Sequence, residues 1–412
     1  MGEYDLKLLI KTPRLFDPAA KSVYEDREIL IEGDKISAVS PCGGLHVEDV
    51  EILDLRAEKD AFVMPGLIDS HLHLAHGGVD AREKADRDPQ VALRMFHNGL
   101  KNLMAGVTTQ RDCGAKNHID VSYREGLSLG LINGPRTLIC GQPIIATGGH
   151  CTYMGRQIDG KDEAAKAVRE QLQERVDFIK LMVTGGISTP TGYPTTPQMT
   201  REEIAACVKI AHNNDKMVAV HAEGGVGIDW CLDAGIDTLE HGIYMTDTQI
   251  EKIAKSNTWY VPTLYAIHAI ANEGAEQEVP MTRMMIDKCA AAFEQHAVSF
   301  KKAYSAGIRM SVGTDYKHGM IGEEMLLMSK CGMPNDEVLR CATLNAAKML
   351  RLDDKIGSIE KGKIADIVIL KGNPVEDISA VKKVSIVIQN GRPVVEEGML
   401  IPSRSYKFYP IQ

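Results

Sequence analysis

Two histidines separated by a single residue, His71 and His73, stand shortly after an apolar run that reaches Ile68. Alternate side chains of an extended strand lie on the same face, so both imidazoles would point in one direction. An isolated pair of this kind is more often two polar positions on a half-buried strand. Here the preceding run predicts a buried parallel strand, in which unpaired polar groups are costly unless they bind something. The pair therefore predicts two metal ligands.

Four more residues with useful chemistry also stand at the ends of apolar runs: Lys180, His221, His241 and Asp315. Taken singly, either histidine is more typical of a hydrogen-bonded core position, and Asp315 of a helix cap. Lys180 is harder to explain, because a lysine at the inner end of a buried strand must be paired or chemically changed. Together the six residues offer the nitrogen and oxygen ligands that zinc or a similar divalent ion takes, with room for water.

The elements that must position these residues alternate between apolar strands and amphipathic helices. The predicted helices include 90–105, 161–175, 200–213 and 247–255, with Thr200 and Asp247 as candidate N-caps. The eight predicted strands are 62–72, 106–112, 136–141, 177–183, 217–221, 238–241, 259–264 and 309–314. Eight alternations predict a (β/α)8 TIM-like barrel, in which active-site residues come from the carboxyl ends of strands. A doubly wound open sheet is the alternative, and it would gather the ligands at one switch point.

Short alternating strands flank this region on both sides. They are predicted over 6–11, 28–32 and 35–39, and again over 365–370, 384–390 and 393–397, after a helix over 335–351. Their similar character predicts a small β-sandwich domain built from both chain ends. The predicted domains are residues 1–60 and 353–412 for the two parts of the β-domain and residues 61–352 for the hydrolase barrel.

Composition and charge restrict the class of protein. The 412 residues are 44% hydrophobic and 25% charged, which is ordinary for a soluble enzyme. A net charge of −9 without a basic block argues against a nucleic-acid partner. The nine cysteines show no Cys-x-x-Cys spacing, no signal-peptide pattern opens the chain and no apolar run is long enough to span a bilayer. We expect a cytoplasmic protein that does not enter a membrane.

The combined motifs resemble those of the amidohydrolase superfamily over essentially the whole chain. The tail 357–370 contributes to the likeness, and the main motifs are Pro65-Gly66-Leu67-Ile68-Asp69-Ser70-His71-Leu72-His73, Phe178-Ile179-Lys180, Val220-His221-Ala222-Glu223, Glu240-His241-Gly242 and Gly313-Thr314-Asp315. In two-metal members the strand-four lysine is carboxylated. The resemblance implies two divalent ions, with zinc preferred. It implies that an N6-carboxylated Lys180 bridges both ions, one held by His71, His73 and Asp315 and the other by His221 and His241.

A carbamate would turn the costly buried cation of Lys180 into an anion that two dications stabilise. Hydrolysis would then use a hydroxide shared by the metals, with Asp315 as general base and then general acid. His150 and Tyr244, on loops at the predicted catalytic mouth, are candidates to bind the substrate carbonyl and stabilise its developing charge. The Gly/Thr/Pro-rich loop 185–199 is a candidate lid.

The resemblance is greatest to metal-dependent dipeptidases and carboxypeptidase-like enzymes, which cleave Xaa-Pro, Xaa-Lys or Xaa-Arg dipeptides and N-acyl amino acids; related members hydrolyse the amide of ochratoxin. Thr184-Gly185-Gly186 and Gly148-Gly149-His150 support this group. It implies a homo-oligomer and a small amide or dipeptide substrate with a free carboxylate. The carboxylate would meet one of five candidate cations: Arg82, Lys84, Arg87, Arg156 or Lys317.

Three alternatives stay open. A mononuclear cyclic amidohydrolase or deaminase, similar to imidazolonepropionase, gains support from Glu223 beside His221, while Lys180 counts against it. A lactonase would use the same site, and ester, lactone and amide substrates would distinguish it. A non-catalytic binding scaffold predicts that Asp315→Asn changes no measurable property.

Overall fold

The chain forms one large mixed sheet and two parallel sheets with helices between their strands. The computed structural model describes residues 7–76, 86–187, 193–276 and 282–401. In chain order the strands are β1 Lys7–Asp17, β2 Ser22–Glu32, β3 Lys35–Pro41, β4 Glu51–Asp54, β5 Ala61–Pro65, β6 Leu67–Leu72, β7 Val107–Asp112, β8 Arg136–Ile139, β9 Ile144–Ala146, β10 Arg156–Ile158, β11 Phe178–Met182, β12 Met217–Gly224, β13 Thr238–Tyr244, β14 Trp259–Val261, β15 Ile367–Lys371, β16 Val384–Gln389, β17 Arg392–Glu396 and β18 Met399–Leu400.

The helices lie mainly between the strands of the parallel sheets. They are α1 Asp88–Met104, α2 Ile119–Ser128, α3 Lys161–Gln173, α4 Arg201–His212, α5 Val226–Ala234, α6 Asp247–Ala254, α7 Leu264–Glu273, α8 Arg283–Ser305, α9 Ile321–Lys330, α10 Asn335–Arg340 and α11 Ala346–Met349. Short 3-10 turns cover Lys116–His118, Gly274–Glu276 and Ile378–Lys382. Thr200 caps α4 as expected, because its hydroxyl accepts from the Glu203 N–H. The cap of α6 is Thr246, whereas Asp247 is its first helical residue.

Both ends of the chain contribute to the nine-stranded mixed sheet. Its order is β18-β17-β16-β15-β5-β1-β2-β3, and β4 pairs with β1. The predicted strand over 62–72 is in fact two strands in two different sheets. The change occurs at Gly66, whose N–H donates to Asp366 O, while the N–H of Leu67 donates to Gly106 O. The sequence did not reveal this break because the apolar run is continuous across it.

The two parallel sheets carry the strands of the predicted catalytic region. One has the order β6-β7-β8 and the other β10-β9-β11-β12-β13-β14. Backbone hydrogen bonds join the two groups: Asp177 N donates to Ile139 O, and Ser70 N donates to Val312 O, each at 2.8–2.9 Å. The pair β9 and β10 was not predicted, and it adds two short strands beside β11.

The predicted strand over 309–314 does not form a regular strand. Met310 makes one parallel bridge with Tyr260, and Tyr260 also exchanges backbone hydrogen bonds with Arg309 and Ser311. The segment then turns sharply, because Asp315 has a φ of 53°. The extended backbone of this segment forms hydrogen bonds with β14 on one side and with β6 on the other.

The predicted helix over 335–351 is interrupted. A π-helical turn, Cys341–Asn345, separates α10 from α11. Its polar groups are drawn to the neighbouring segment: the Asn345 amide donates to Met310 O at 3.3 Å, and the Ser311 hydroxyl donates to Cys341 O at 3.4 Å. Side-chain bonds of this kind compete with regular helical pairing and favour a wider turn.

A large apolar core fills the space between the parallel strands and their helices, and a second, smaller cluster lies under the mixed sheet. No disulfide links the cysteines of the described chain. Within the same described ranges, no helix has the length and hydrophobicity needed to cross a membrane.

A partly buried ion pair connects the mixed sheet to β8. Arg136 donates to Asp366 Oδ2 at 2.7 Å, and Asp366 Oδ1 accepts from Asn390 N at 2.9 Å. The Asp366 side chain is only 4% exposed, so water compensates little for a lost bond.

We expect Asp366→Asn to lower the free energy of unfolding by about 1.5–3 kcal/mol, the usual size for a charged hydrogen bond. Denaturant titration measures this. Arg201→Ala is the control, because the Arg201–Asp233 pair is exposed and should contribute less than about 1 kcal/mol. Equal effects of the two substitutions would contradict the structural role of Asp366.

Candidate metal centre

Three of the predicted ligands form a compact group of potential metal-binding atoms. His71 in β6, His241 in β13 and Asp315 after residues 309–314 place one ligand atom each within 4.8 Å of one another. Asp315 Oδ1 lies 3.2 Å from His71 Nε2, and Asp315 Oδ2 lies 3.7 Å from His241 Nδ1. Strands distant in sequence therefore bring these three residues to one point.

The other three predicted ligands surround this group. His73 Nε2 lies 3.6 Å from Asp315 Oδ1, and the His221 ring is centred 4.6 Å from the His241 ring. Lys180 in β11 is 1% exposed, and its Nζ has no hydrogen-bond partner among the described residues. Since an unpaired buried ammonium is very costly, the lysine requires a partner or a chemical change.

Two ligand positions have strained backbones. His241 has a φ of 71° and Asp315 a φ of 53°, in the left-handed region that residues other than glycine seldom adopt. Such conformations cost on the order of 1–3 kcal/mol each and persist where the surroundings hold them, often at functional sites. Asp69 provides part of this support, because its carboxylate accepts from both the N–H and the hydroxyl of Thr314.

The hydrogen bonds of His71 and His73 assign their tautomers. His71 Nδ1 is 2.7 Å from a Glu240 carboxylate oxygen, and His73 Nδ1 is 3.1 Å from Gly114 O. Both partners are acceptors, so each Nδ1 must donate its hydrogen. In the neutral rings Nε2 then carries the lone pair, and the Nε2 of His71 is buried without a hydrogen-bond partner in the described chain.

His221 and His241 are held in the same manner. Thr263 donates its hydroxyl to Pro262 O, so it can only accept from His241 Nδ1, at 2.7 Å. His221 Nε2 lies 3.4 Å from Gly185 O, again an acceptor. Each of the four histidines thus uses one ring nitrogen as a donor to a fixed oxygen and keeps the other for a ligand, as metal-binding histidines do. This donor set fits a divalent metal ion.

The electrostatics of the centre favour a cation. Burial lowers the pKa of His71, but the negative charges of Cys113, Asp315 and Glu240 raise it more, to well above its usual value. Burial raises the pKa of Asp315, yet the surrounding histidines hold it well below the ordinary range. A divalent ion would take the place of the extra proton, since a ligating histidine must be neutral.

The two predicted substrate-contact residues both lie beside the centre. The His150 ring stacks on His221 with centroids 4.4 Å apart, and burial lowers its pKa to about 4. A methyl group on Gly186 would lie 2.5 Å from the His150 ring, which explains the glycine at this position. Tyr244 ends β13 and is half-buried; burial and the nearby Glu223 raise its pKa.

Glu223, on which the deaminase alternative depends, is engaged with the loop that follows β11. Both of its carboxylate oxygens accept from the Ile187 N–H at 3.0 Å, and burial raises its pKa to about 8. Residues 188–192 of the predicted lid lie outside the described residues. Residues 193–198 pack back on β11, where Gln198 N donates to Val183 O.

Of the five candidate cations for a substrate carboxylate, two already have carboxylate partners. Arg156 pairs with Glu170, and Lys317 pairs with Glu273. Arg87 stands at the start of α1. Arg82 and Lys84 lie outside the described residues.

Comparison with known families decides the relationship. The model of the amidohydrolase family matches residues 62–394, most of the chain. The chain belongs to the amidohydrolase family. It is thus a metal-dependent type of hydrolase that acts on amide bonds, and the matched region includes both parallel sheets and, from the mixed sheet, most of β5 together with β15, β16 and the start of β17.

Similar amidohydrolases include two enzymes of known structure. A Xaa-Pro dipeptidase with methionine bound in its active site is 32% identical, with a TM-score of 0.86 over 95% of this chain and 100% of that one. A prolidase in complex with N-methylphosphonate-L-proline is 28% identical, with a TM-score of 0.87 over 95% and 100%. Ochratoxinase of Aspergillus niger is 26% identical over 350 residues, 77% of this chain and 71% of the relative. The predicted resemblance to dipeptidases and ochratoxin amidases is confirmed.

Sequence reasoning missed two buried charged residues in this amidohydrolase. Arg111 and Glu240 are both 0% exposed and form an ion pair at 2.7 Å, directly behind His71. A signal was present at Glu240, a charged residue next to the predicted ligand His241, whereas Arg111 follows the polar run Thr108-Thr109-Gln110 and gives no such signal. The meaning of the signal required the strand neighbours, which only the fold supplies.

Gly313 is the position at which a small change should disturb the centre most directly. A methyl group there would lie 2.6 Å from the Cβ atom of the proposed ligand His71 and 2.6 Å from Val261 Cγ1. We expect Gly313→Ala to lower the free energy of unfolding by about 1–3 kcal/mol, as overpacking does, and to lower metal content. Denaturant titration and elemental analysis measure the two effects.

Gly126→Ala in α2 is the matched control, because its methyl group would meet only the Ile132 side chain, at 3.2 Å. It should leave metal content unchanged. A Gly313→Ala protein with unaltered stability and metal content would show that β6 does not depend on this close approach.

Proposed function

We propose that this amidohydrolase cleaves the amide bond of dipeptides or N-acyl amino acids, including ochratoxin-like amides, with the help of two divalent metal ions. The observation that carries the proposal is the grouping of four donor-fixed histidines and Asp315 with Lys180, a buried lysine that has no hydrogen-bond partner among the described residues. This set offers more ligand atoms than a single ion requires.

The proposed metal ligands are His71, His73 and Asp315 for one ion and His221 and His241 for the other, with zinc as the preferred metal. Lys180, carboxylated at its Nζ, would bridge both. Its complete burial supports this assignment, because a carbamate removes the uncompensated cation and adds two oxygen ligands.

Bound ions would lower the pKa of water and polarise the scissile carbonyl. Asp315 is suited to move the proton, because its side chain is 19% exposed, against 12% for His73 and 1% for His71. We propose that its carboxylate takes a proton from the attacking water and delivers it to the leaving nitrogen. His150 and Tyr244 would orient the carbonyl and donate to its oxygen.

The substrate class rests on the related enzymes. The prolidase is in complex with N-methylphosphonate-L-proline, and the other two relatives are an ochratoxinase and a Xaa-Pro dipeptidase. For this chain we propose a small amide or dipeptide substrate with a free carboxylate. A cytoplasmic location and a homo-oligomeric assembly stay predictions from the sequence.

We also propose that the parallel strands close into a (β/α)8 barrel, with residues 309–314 in the eighth position. The hydrogen bonds from this segment to β6 and β14, and from Asp177 to β8, support closure. The proposed domains stay 61–352 for the barrel and 1–60 with 353–412 for the β-domain. However, β5 within the first of these ranges pairs with β1 and β15 of the mixed sheet.

The first experiment measures metal content by elemental analysis of protein purified without chelator, together with hydrolysis of N-acyl amino acids and of Xaa-Pro, Xaa-Arg and Xaa-Phe dipeptides. We expect two ions per chain and release of a free amino acid. Asp315→Asn should lower kcat by at least about 100-fold, since it removes the general base. Asp287→Asn, on the exposed face of α8, is the control and should not change turnover.

Other results would favour the alternatives. One ion per chain with cleavage of a cyclic amide or an amino-heterocycle would support the mononuclear enzyme, and preference for lactones would support a lactonase. An Asp315→Asn protein identical to the parent in every assay would support a binding scaffold and contradict the proposal.

Lys180→Arg tests the carbamate separately. Arginine keeps a buried positive charge but is not carboxylated, so we expect the loss of at least one ion per chain and of hydrolysis. A second measurement uses the parent protein: after chelator treatment, metal uptake should depend on added bicarbonate, and ¹³C-bicarbonate should give a carbamate signal by NMR. Full metal content in Lys180→Arg would rule out the bridging role.

A further inference from the structure

Beneath the proposed metal centre lies a buried charged network that the proposed reaction does not use. Arg111 in β7 and Glu240 in β13 are both completely buried. A buried ion pair is on average weak evidence for stability, because desolvation offsets the attraction between the charges. The position of this pair indicates another role.

Arg111 contacts three other strands, one in its own sheet and two in the second parallel sheet. Its guanidinium donates to Ser70 O in β6, to Thr238 Oγ1 at 3.2 Å and to Glu240 Oε1 at 2.7 Å in β13. The guanidinium carbon also lies 5.2 Å from the centre of the Phe178 ring in β11. Four contacts of this kind leave the side chain a single orientation.

Glu240 is fixed in turn. Its Oε1 accepts from Arg111 and from the Thr238 hydroxyl, at 2.7 and 2.5 Å, and its Oε2 accepts from His71 Nδ1 at 2.7 Å. One oxygen is therefore saturated by the network and the other is directed at a single histidine. A carboxylate in this position holds the hydrogen of His71 on Nδ1 and directs the lone pair of Nε2 toward Asp315.

We infer that Glu240, oriented by Arg111 and Thr238, is a positioning residue that sets the tautomer and ring orientation of His71 for metal binding. This inference rests on the proposed metal site. His71 differs from His73 and His221, whose donor nitrogens face backbone carbonyls, and from His241, which faces a hydroxyl. It alone of the four donates to a charged side chain, so the ion at His71 should be the one sensitive to the network.

The test compares zinc release from the parent protein and from variants of the network. Glu240→Gln keeps the shape but removes the charge, and we expect zinc to bind about 10- to 100-fold more weakly at one of the two sites, the usual size for such an outer ligand partner. Arg111→Met should act similarly. We expect Arg111→Lys to weaken zinc binding less, because lysine keeps the positive charge but lacks the planar guanidinium with its several fixed donors. Release to a chromogenic chelator and elemental analysis measure the effect.

If the charge variants do not fold, Thr238→Val takes their place in the zinc-release test. Valine is nearly isosteric with threonine, so this change removes only the hydroxyl that donates to Glu240. We expect a few-fold faster release of one ion. The matched control is Asp366→Asn, which breaks a partly buried pair remote from the ligands and should lower thermal stability without changing zinc release. Unfolding of each protein is measured with and without zinc.

A purely structural role would give a different result. Variants of Glu240, Arg111 and Thr238 would then unfold more readily in the zinc-free form but release zinc at the parent rate, as Asp366→Asn does, and this would overturn the inference. Parent protein that contains no metal would instead overturn the proposed metal site and the inference with it. Metal-loaded parent protein with unchanged variants would overturn the inference alone.

Discussion

The cost of burying ionisable groups governs this structure. Lys180, His71, His221 and His241 are almost completely removed from water, and His73 and Asp315 are largely so. In a medium of low polarity such groups are stable only when each is bonded or neutralised. The histidines meet the requirement on one side through fixed acceptors. On the other side the free ring nitrogens, the carboxylate and the lysine amine face one another, and a pair of cations with a carbamate would satisfy them together.

The surrounding elements make this burial possible by close approach of the backbone. Gly313 lets residues 309–314 pack against His71, and Gly186 leaves space for His150 to stack on His221. The strained backbones of His241 and Asp315 are held by similar contacts, among them the Asp69–Thr314 hydrogen bonds. The strain and the buried charge belong to the same few residues, and both are offset by the packing of the parallel strands around them.

The mixed sheet supports the centre structurally and contributes none of the proposed ligands. β5 belongs to that sheet, and β6 begins two residues later and carries His71 at its far end. Arg136 and Asp366 form a further link between the mixed sheet and β8. Residues from both chain ends thus support the strand that carries the proposed ligand His71.

The sequence by itself determined the six proposed ligands and the alternation of strands and helices. An apolar strand that ends in histidine, lysine or aspartate can be recognised without knowing which strands lie beside it. It also indicated the family. Only the tertiary structure decided the break at Gly66, the irregular segment 309–315, the π-helical turn and the Arg111–Glu240 pair. Each of these depends on contacts between residues far apart in the chain, such as Ser70 with Val312 and Glu240 with His71. Local pattern cannot reveal them, because the physical reason for each is a hydrogen bond or a close approach to a strand that is adjacent only in the folded protein.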